Sequence, residues 1–472
     1  MNWRNILKSL KSRDMQKRLL IVLGLIIAYR FLSHVPVPLA EPTQLKEVIN
    51  SILASNNFGG FLNLLSGGAL ASVSIMLVGL SPYITASVIM QLLTKAIPRL
   101  EQLHKDGETG RRRINQWTRM ITLPLAIIQS IAFIFILRQT QLTANSSIDI
   151  TANTDALQWV VMVGAMTAGA MLLMWIGELM TEQGVGNGMS LLIFAGIISQ
   201  LPQTIQTVGA SLTSVAAETD KLNIFGLILP INAFVFYLMA ALAFVGLIVL
   251  YIMVKINEAQ RIVTINYAKR VQGNRNYGGV QSILPVKLIT AGVIPVIFAV
   301  AFLALPAFVG QVLRLNPDAY WKQMGENLIQ WFQQPQMQTL ATGDLTALIY
   351  PVSYLVLVIL FTYFYTNIVF NSAEISENLQ KQGGFIADVR PGMQTEKYLS
   401  TMVNRLTLFG SLALGIIAVL PFVTEYLFAT VNINAQGLAI GGTGLLIIVT
   451  VTLETLRQIN SRALMVTYDQ DY

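Results

Sequence analysis

The sequence predicts an all-α, polytopic membrane protein with ten transmembrane helices, and three observations predict it. Charge is scarce: of 472 residues, 54% are hydrophobic and only 12% are charged, where a soluble domain carries about a quarter. The charges also cluster, leaving long tracts without Asp, Glu, Lys or Arg: Val48 to Thr94, Asn187 to Ala217, Leu222 to Val254, Leu288 to Leu313, Leu345 to Ala373, Leu406 to Thr424 and Tyr426 to Leu453. A helix crosses the hydrocarbon core with about 20 apolar residues, so each tract holds at least one span. Third, the basic residues fall on one side of the resulting frame.

Hydropathy places the ten spans at about 19–39, 74–97, 118–138, 157–179, 187–207, 229–254, 287–310, 346–370, 402–421 and 438–457. The strip from Phe58 to Thr94 is too long for one crossing and contains the weakly hydrophobic Leu65-Ser66-Gly67-Gly68-Ala69. It reads as a short dipping half-helix before the second span, or as a helix lying on the outer face. A dipping segment needs protein or water around its backbone, and so implies a cavity. Residues 1–11 read as an interfacial helix, Trp3, Ile6, Leu7 and Leu10 on one face and Arg4, Lys8 and Lys11 on the other. This start does not read as a removable signal peptide. With the N-terminus inside, the inner segments are 1–18, 95–119, 180–186, 255–287, 371–405 and 457–472, and they hold 25 of the 31 Lys and Arg. That bias puts both termini in the cytosol. Ten spans divide into two sets of five, and because five is odd the second set enters inverted.

Chemistry has little to work with. There is no cysteine and there are two histidines, His34 and His104, far apart in the chain, which argues against thiolate zinc sites, a Ser-His triad and a membrane enzyme built on either. Gly184-Val185-Gly186-Asn187-Gly188 fits neither G-x-G-x-x-G nor a Walker A; it reads as a tight inner turn. A secondary transporter for a small solute needs ionisable groups inside its spans. The candidates are Arg30, Glu178, Arg405 and Glu454, all near helix ends, where snorkelling or capping accounts for such residues. A passage without internal charge must seal with apolar side chains. The inner loops 255–287 and 371–400 run to about thirty residues each, far beyond ordinary connections. Their basic character suits a large acidic or polyanionic partner.

Five stretches, in order, resemble the SecY (Sec61α) family of protein-conducting channels along nearly the whole chain. They are Gly67-Gly68-Ala69 with LVGLSPYITASVIMQLLT (77–94) and Asp106 to Arg112; MWIGELMTEQGVGNGMSLLIFAGI (174–197); Asn266 to Arg270 with Ala291 to Pro295; YFYTNIVFN (363–371) with Asp388 to Gly392 and Thr395 to Tyr398; and Asn404 to Leu408 with Gly441 to Gly444. The resemblance implies two pseudo-symmetric five-helix halves, 19–210 and 211–457, around an hourglass pore with a lateral gate, plus a short cytosolic tail at 458–472. It implies a re-entrant plug helix near 60–73 that includes Leu65, Ser66, Gly67, Gly68, Ala69 and Leu70. It places the pore ring on Leu80, Ile84, Met189, Ile193, Ile297 and Ile447, which by composition alone read as core packing. It gives Arg261, Lys269, Arg270 and Arg390 to contacts with a motor ATPase or ribosome. Expected partners are SecE-like and SecG-like small membrane subunits, a SecA-type motor ATPase, the ribosome, signal peptides, unfolded preproteins and membrane lipids. No cofactor is expected, and the expected location is a bacterial plasma membrane. Two departures stand out: Ile262 occupies a position where some relatives carry a second basic residue, and Pro36-Val37-Pro38-Leu39 lacks the family's glycine. The outer loop from about 311 to 345, with Trp321 and Trp331, is longer than expected.

Overall fold

The structure is a computed structural model describing residues 12–37, 74–143, 155–213, 221–224, 227–267, 270–272, 275–277, 281–314, 318–332, 345–430 and 442–470. A helix occupies each of the ten places hydropathy selects: α1 (Arg13–Leu32), α2 (Ser81–Ala96), α4 (Glu108–Thr143), α5 (Ala156–Glu182), α6 (Gly188–Thr213), α7 (Ala233–Glu258), α8 (Ile294–Arg314), α10 (Ile349–Val369), α12 (Met393–Thr430) and α13 (Gly442–Gln470). Three shorter helices join them, α3 (Pro98–Lys105), α9 (Ala319–Phe332) and α11 (Ser372–Lys381). Among the described residues, six segments are long and apolar enough to cross a bilayer: Glu108–Phe135, Ala156–Glu182, Phe236–Glu258, Ile294–Leu313, Leu345–Lys381 and Met393–Thr424. The expected interfacial helix at 1–11 and plug at 60–73 lie outside the described residues.

Boundaries depart from the hydropathy reading in instructive places. The second span was expected from 74, yet residues 75–80 are successive turns and the helix begins at Ser81. The sixth was expected from 229, but Leu227–Asn232 is a strand, β2, paired antiparallel with β1 (Lys221–Ile224). Hydropathy counts apolar residues and is blind to whether they are helical. At the other end, α13 continues through most of the segment expected as a tail. Helix α4 has 36 residues and α12 has 38, so each is more than about 50 Å long at 1.5 Å per residue. Each therefore extends well beyond a hydrocarbon core of about 30 Å.

The helices pack as two connected groups. In the first, α4 packs on α2 and α5, α5 on α6, and α1 on α5; in the second, α8 packs on α10, α10 on α12, and α12 on α13. The groups meet where α2 packs on α8 and α6 packs on α13. Buried hydroxyls inside the helices are satisfied locally. Thr94, Thr122 and Thr362 donate to the carbonyls of Met90, Thr118 and Val358, four residues back, at 2.6–2.8 Å. In surroundings without water that back-bond is the nearest partner available.

Strands are confined to the connections. The two long basic loops, which look separate in the sequence, share one antiparallel sheet in the order β6 (Gln281–Lys287), β3 (Gln260–Tyr267), β7 (Gly384–Ile386). Its register pairs Arg261 with Val286 and Ile265 with Ile386. Beneath it Val263, Val286 and Ile386 pack with Leu399, Met402 and Val403 of α12. A separate hairpin pairs β4 (Arg270–Gln272) with β5 (Arg275–Tyr277).

The turn between α5 and α6 is held by close approach. The Gly188 N–H donates to Thr181 Oγ1 at 2.9 Å, and that hydroxyl donates to the Gly177 carbonyl at 2.8 Å. A methyl group on Gly188 would collide with the Gly177 carbonyl and the Met180 side chain. Gly188→Ala is therefore expected to destabilise by about 1–3 kcal/mol, the usual cost of overpacking, and to lower the melting temperature in detergent. Gly164→Ala, where nothing lies within 4 Å of the new methyl, should leave it near wild type. Equal melting of the two variants would contradict this packing.

Candidate functional site

Three of the helices that carry the expected pore ring begin beyond a buried stretch of irregular backbone. Before α2, Ser74, Met76, Leu77, Val78 and Leu80 are all buried. The stretch is tied down by Ile75 N–H to Val35 O at 3.0 Å, Met76 N–H to Ser74 Oγ at 3.0 Å and Gly79 N–H to Met76 O at 2.9 Å. Before α6, Val185 is buried, and Gly186 lies against Leu191 and against Thr455 of α13. Before α8, Ile289, Ala291 and Val293 are buried, and the Leu288 N–H donates to Ala259 O at 2.8 Å. Each stretch turns at a glycine in the left-handed region, Gly79, Gly184 and Gly292, with φ of 62–63°. Buried hydrogen bonding of this kind lets a helix start inside a membrane protein rather than at its surface.

Five of the six expected ring residues lie at these three starts, and the sixth, Ile447, lies near the start of α13. Leu80 immediately precedes α2 and Ile84 is in its first turn; Met189 and Ile193 are in the first two turns of α6; Ile297 is in the first turn of α8; Ile447 is in the second turn of α13. All six belong to one hydrophobic cluster that draws on both helix groups. Leu80, Ile84, Ile193, Ile297 and Ile447 are buried within it, whereas Met189 is half-buried at its margin. The Met189 thioether occupies the space that a side chain on Gly177 would take. The plug residues Leu65 to Leu70 lie outside the described residues.

The basic residues divide differently. Arg261 is exposed on β3, and Arg390 is exposed on the loop that follows β7. That loop is fixed from behind: Thr395 Oγ1 donates to Arg390 O at 2.9 Å and Ser376 Oγ donates to Gly392 O at 2.7 Å, both side chains buried. Asp388, with φ of 62°, is the one non-glycine residue in the left-handed region among the described residues. Shared β-structure thus places Arg261 and Arg390 on a single platform, which the separate loops in the sequence did not reveal. Arg270 opens strand β4, and Lys269 lies outside the described residues. Burial, with Arg111 and Lys95 nearby, holds the His104 imidazole below its ordinary pKa against the opposing Glu374. His104 is accordingly neutral at pH 7, and the charge of its loop comes from Lys and Arg.

Ion pairs and hydrogen bonds hold several charged groups near helix ends, Glu178 among them. Arg119 Nε donates to Glu178 Oε1 at 2.8 Å, tying α4 to α5. Arg457 Nη2 donates to Asn257 O at 2.9 Å in the last turn of α7, and Asn257 Nδ2 donates to Thr450 Oγ1 at 3.3 Å. A cation on the final carbonyls is the favourable end of a helix dipole. These contacts were not foreseen, since nothing in sequence spacing links Asn257 to Arg457. Arg405 is exposed. No group of three His, Cys, Asp or Glu gathers among the described residues.

A family model described as SecY matches residues 74–456. A protein translocase subunit SecY of Streptomyces galbus is 37% identical over 457 residues, covering 96% of each chain. One from Corynebacterium glutamicum is 37% identical over 469 residues, covering 98% of each. Among solved structures, one described as a protein conducting channel aligns with a TM-score of 0.57 at 16% identity, over 94% of this chain and 91% of that one. Sec61 in a canine ribosome–channel complex aligns with a TM-score of 0.52 at 17% identity, with the same coverage. At that identity the structural likeness speaks for the fold. With the sequence relatives spanning both chains nearly end to end, this chain belongs to the SecY family.

Proposed function

We propose that this chain, a protein-conducting channel subunit of the Sec translocase and not an enzyme, holds its passage shut with Leu80, Ile84, Met189, Ile193, Ile297 and Ile447. What supports this ring above all is their position: four helices present apolar side chains from their first turns into one shared cluster. Recessed helix starts leave a funnel on each side of such a ring, and an extended polypeptide crosses only a short collar. Apolar side chains at a narrow point exclude water and ions by dewetting, and they yield to a polypeptide without leaving a polar group unpaired. In this reading ten spans form two inverted five-helix halves, and α2 and α4 part from α8 and α10 to release hydrophobic segments into lipid. The segment at 60–73, with Leu65, Ser66, Gly67, Gly68, Ala69 and Leu70, plugs the outer funnel. The contact of α2 with α8 fits a closed gate.

The protein lies in a bacterial inner membrane as a multi-pass chain, and the inner bias of Lys and Arg supports placing both termini in the cytosol. SecE-like and SecG-like subunits brace the two halves, while a SecA-type motor ATPase or a translating ribosome docks on the sheet. Arg261 and Arg390 supply charge there, with Lys269 and Arg270 beside them. Signal peptides and unfolded preproteins are the cargo.

Two experiments test this. Ile447→Asn buries an amide in an apolar collar at about 1–3 kcal/mol, enough to move the closed-to-open ratio by roughly tenfold or more. Vesicles carrying it should leak ions faster or accept weaker signal sequences, while Ile447→Val should not. Unchanged leak and unchanged selectivity would remove Ile447 from the seal. For the platform, Arg390→Glu should strongly reduce ATPase-driven preprotein import while leaving resting ion conductance unchanged. Thr395→Val keeps the charge but loosens its loop by about 0.5–1.5 kcal/mol, and should give an intermediate import rate. Full import by Arg390→Glu would rule out that contact.

A further inference from the structure

Helix α9 sits in the long connection between α8 and α10, at the end of α8 opposite the sheet. Its sequence, AYWKQMGENLIQWF, divides into three faces at 100° per residue. One face packs on α8. A methyl built on Gly310 of α8 would meet the Gly325 carbonyl at 2.8 Å and the Leu328 and Ile329 side chains at 2.9 and 3.1 Å, so these helices cross almost backbone to backbone. Phe332 continues this face into the large hydrophobic cluster. The second face is polar: Lys322, Gln323, Glu326, Asn327 and Gln330 are all exposed. The third is apolar and uncovered, with Tyr320 72%, Met324 41% and Trp331 38% exposed, while Trp321 falls between Leu328 and Phe332 on the first face and is still 41% exposed.

A water-soluble loop helix has use for two of these faces, not three. The geometry of the third names its occupant. Gly310 lies about one turn before the end of α8, so the middle of α9 is level with the last turn of a span and not above it. Along the neighbouring helices exposed apolar residues lie at the same end, Val309 and Val312 on α8, Leu348 just before α10 and Val352 in its first turn. The open face of α9 continues that lipid-facing belt. Trp and Tyr concentrate where hydrocarbon meets headgroups, and an amphipathic helix in that zone buries its apolar face to a depth of about 5–10 Å.

We infer that α9 is an interfacial anchor, its Tyr320, Met324 and Trp331 face lying among the outer-leaflet headgroups and upper acyl chains, clamped to α8 through Gly310 and Gly325. The inference rests on the membrane orientation proposed above and gives the unusually long outer loop a role. Because the crossing leaves no room for side chains to slide, α9 moves with the outer end of α8.

The native absence of cysteine allows a direct test on the full chain with its accompanying membrane subunits. Tyr320→Cys, Met324→Cys, Lys322→Cys and Gln323→Cys are each labelled with a nitroxide in vesicles of phosphatidylethanolamine and phosphatidylglycerol. Collision rates with oxygen, which partitions into lipid, are compared with those for a water-soluble nickel chelate. Oxygen should dominate at 320 and 324 and nickel at 322 and 323. Nickel dominating at all four sites would place the helix in water and overturn the inference. Exclusion of both reagents at 320 and 324, with immobilised spectra, would assign the face to a protein partner and overturn it as well. The readout needs no transport, so a lipid-buried face in a preparation that imports nothing would count against the channel reading alone.

Discussion

A peptide group that leaves a helix inside a bilayer must find its hydrogen-bond partner within the protein, and this requirement shapes the centre of the molecule. Among the described residues, non-helical backbone at 74–80, 183–187 and 288–293 leads into three of the helices that carry the expected ring. Each stretch bends at a left-handed glycine, and hydrogen bonds such as Ile75 N–H to Val35 O and Leu288 N–H to Ala259 O tie two of them to other parts of the chain. The consequence is geometric. Helices that start at depth have first turns at depth, and those turns carry the apolar side chains assigned to the seal. In the proposed reading, sealing and conducting fall to the same few residues. Apolar groups have no partner to lose when a polypeptide pushes them apart.

The cytosolic sheet adds a mechanical link. Strand β6 runs into the buried 288–293 stretch and then into α8, while β7 leads through the Arg390 loop into α12. The Leu288 N–H bonded to Ala259 O closes the sheet's end just above that stretch. Exposed charges on the platform are thus a few residues from helix starts deep in the cluster. A motor docked there, as proposed, would have a short and well-packed route to the collar.

How much of this could be read from the sequence depended on the kind of signal. Helix positions were legible because charge-free tracts such as Leu288 to Leu313 and Leu345 to Ala373 have no soluble use. Where helices begin was not, because Met76, Leu77 and Val78 have equal hydropathy in a turn and in a helix. The sheet was hidden for another reason. Its strands come from loops about a hundred residues apart, and only pairing distinguishes Ile265 opposite Ile386 from any other loop isoleucine. Ile193, Ile297 and Ile447 resemble ordinary core residues, so the ring was visible only through resemblance to a family. Helix α9 was legible in part, since Trp321 and Trp331 stand out in the sequence, but its clamp at Gly310 and Gly325 was not.

The central claim is that a moving polypeptide passes through the collar formed by these helix starts. The cysteine-free chain permits a direct measurement. A preprotein arrested in transit and carrying one cysteine is oxidised against single cysteines placed at positions 84, 193, 297 and 447, and at the exposed Val160 and Phe409. The account predicts disulfide crosslinks at all four collar positions and none at the two outward-facing ones. Crosslinks at Val160 and Phe409 with none at the collar would place the path outside it and contradict the account.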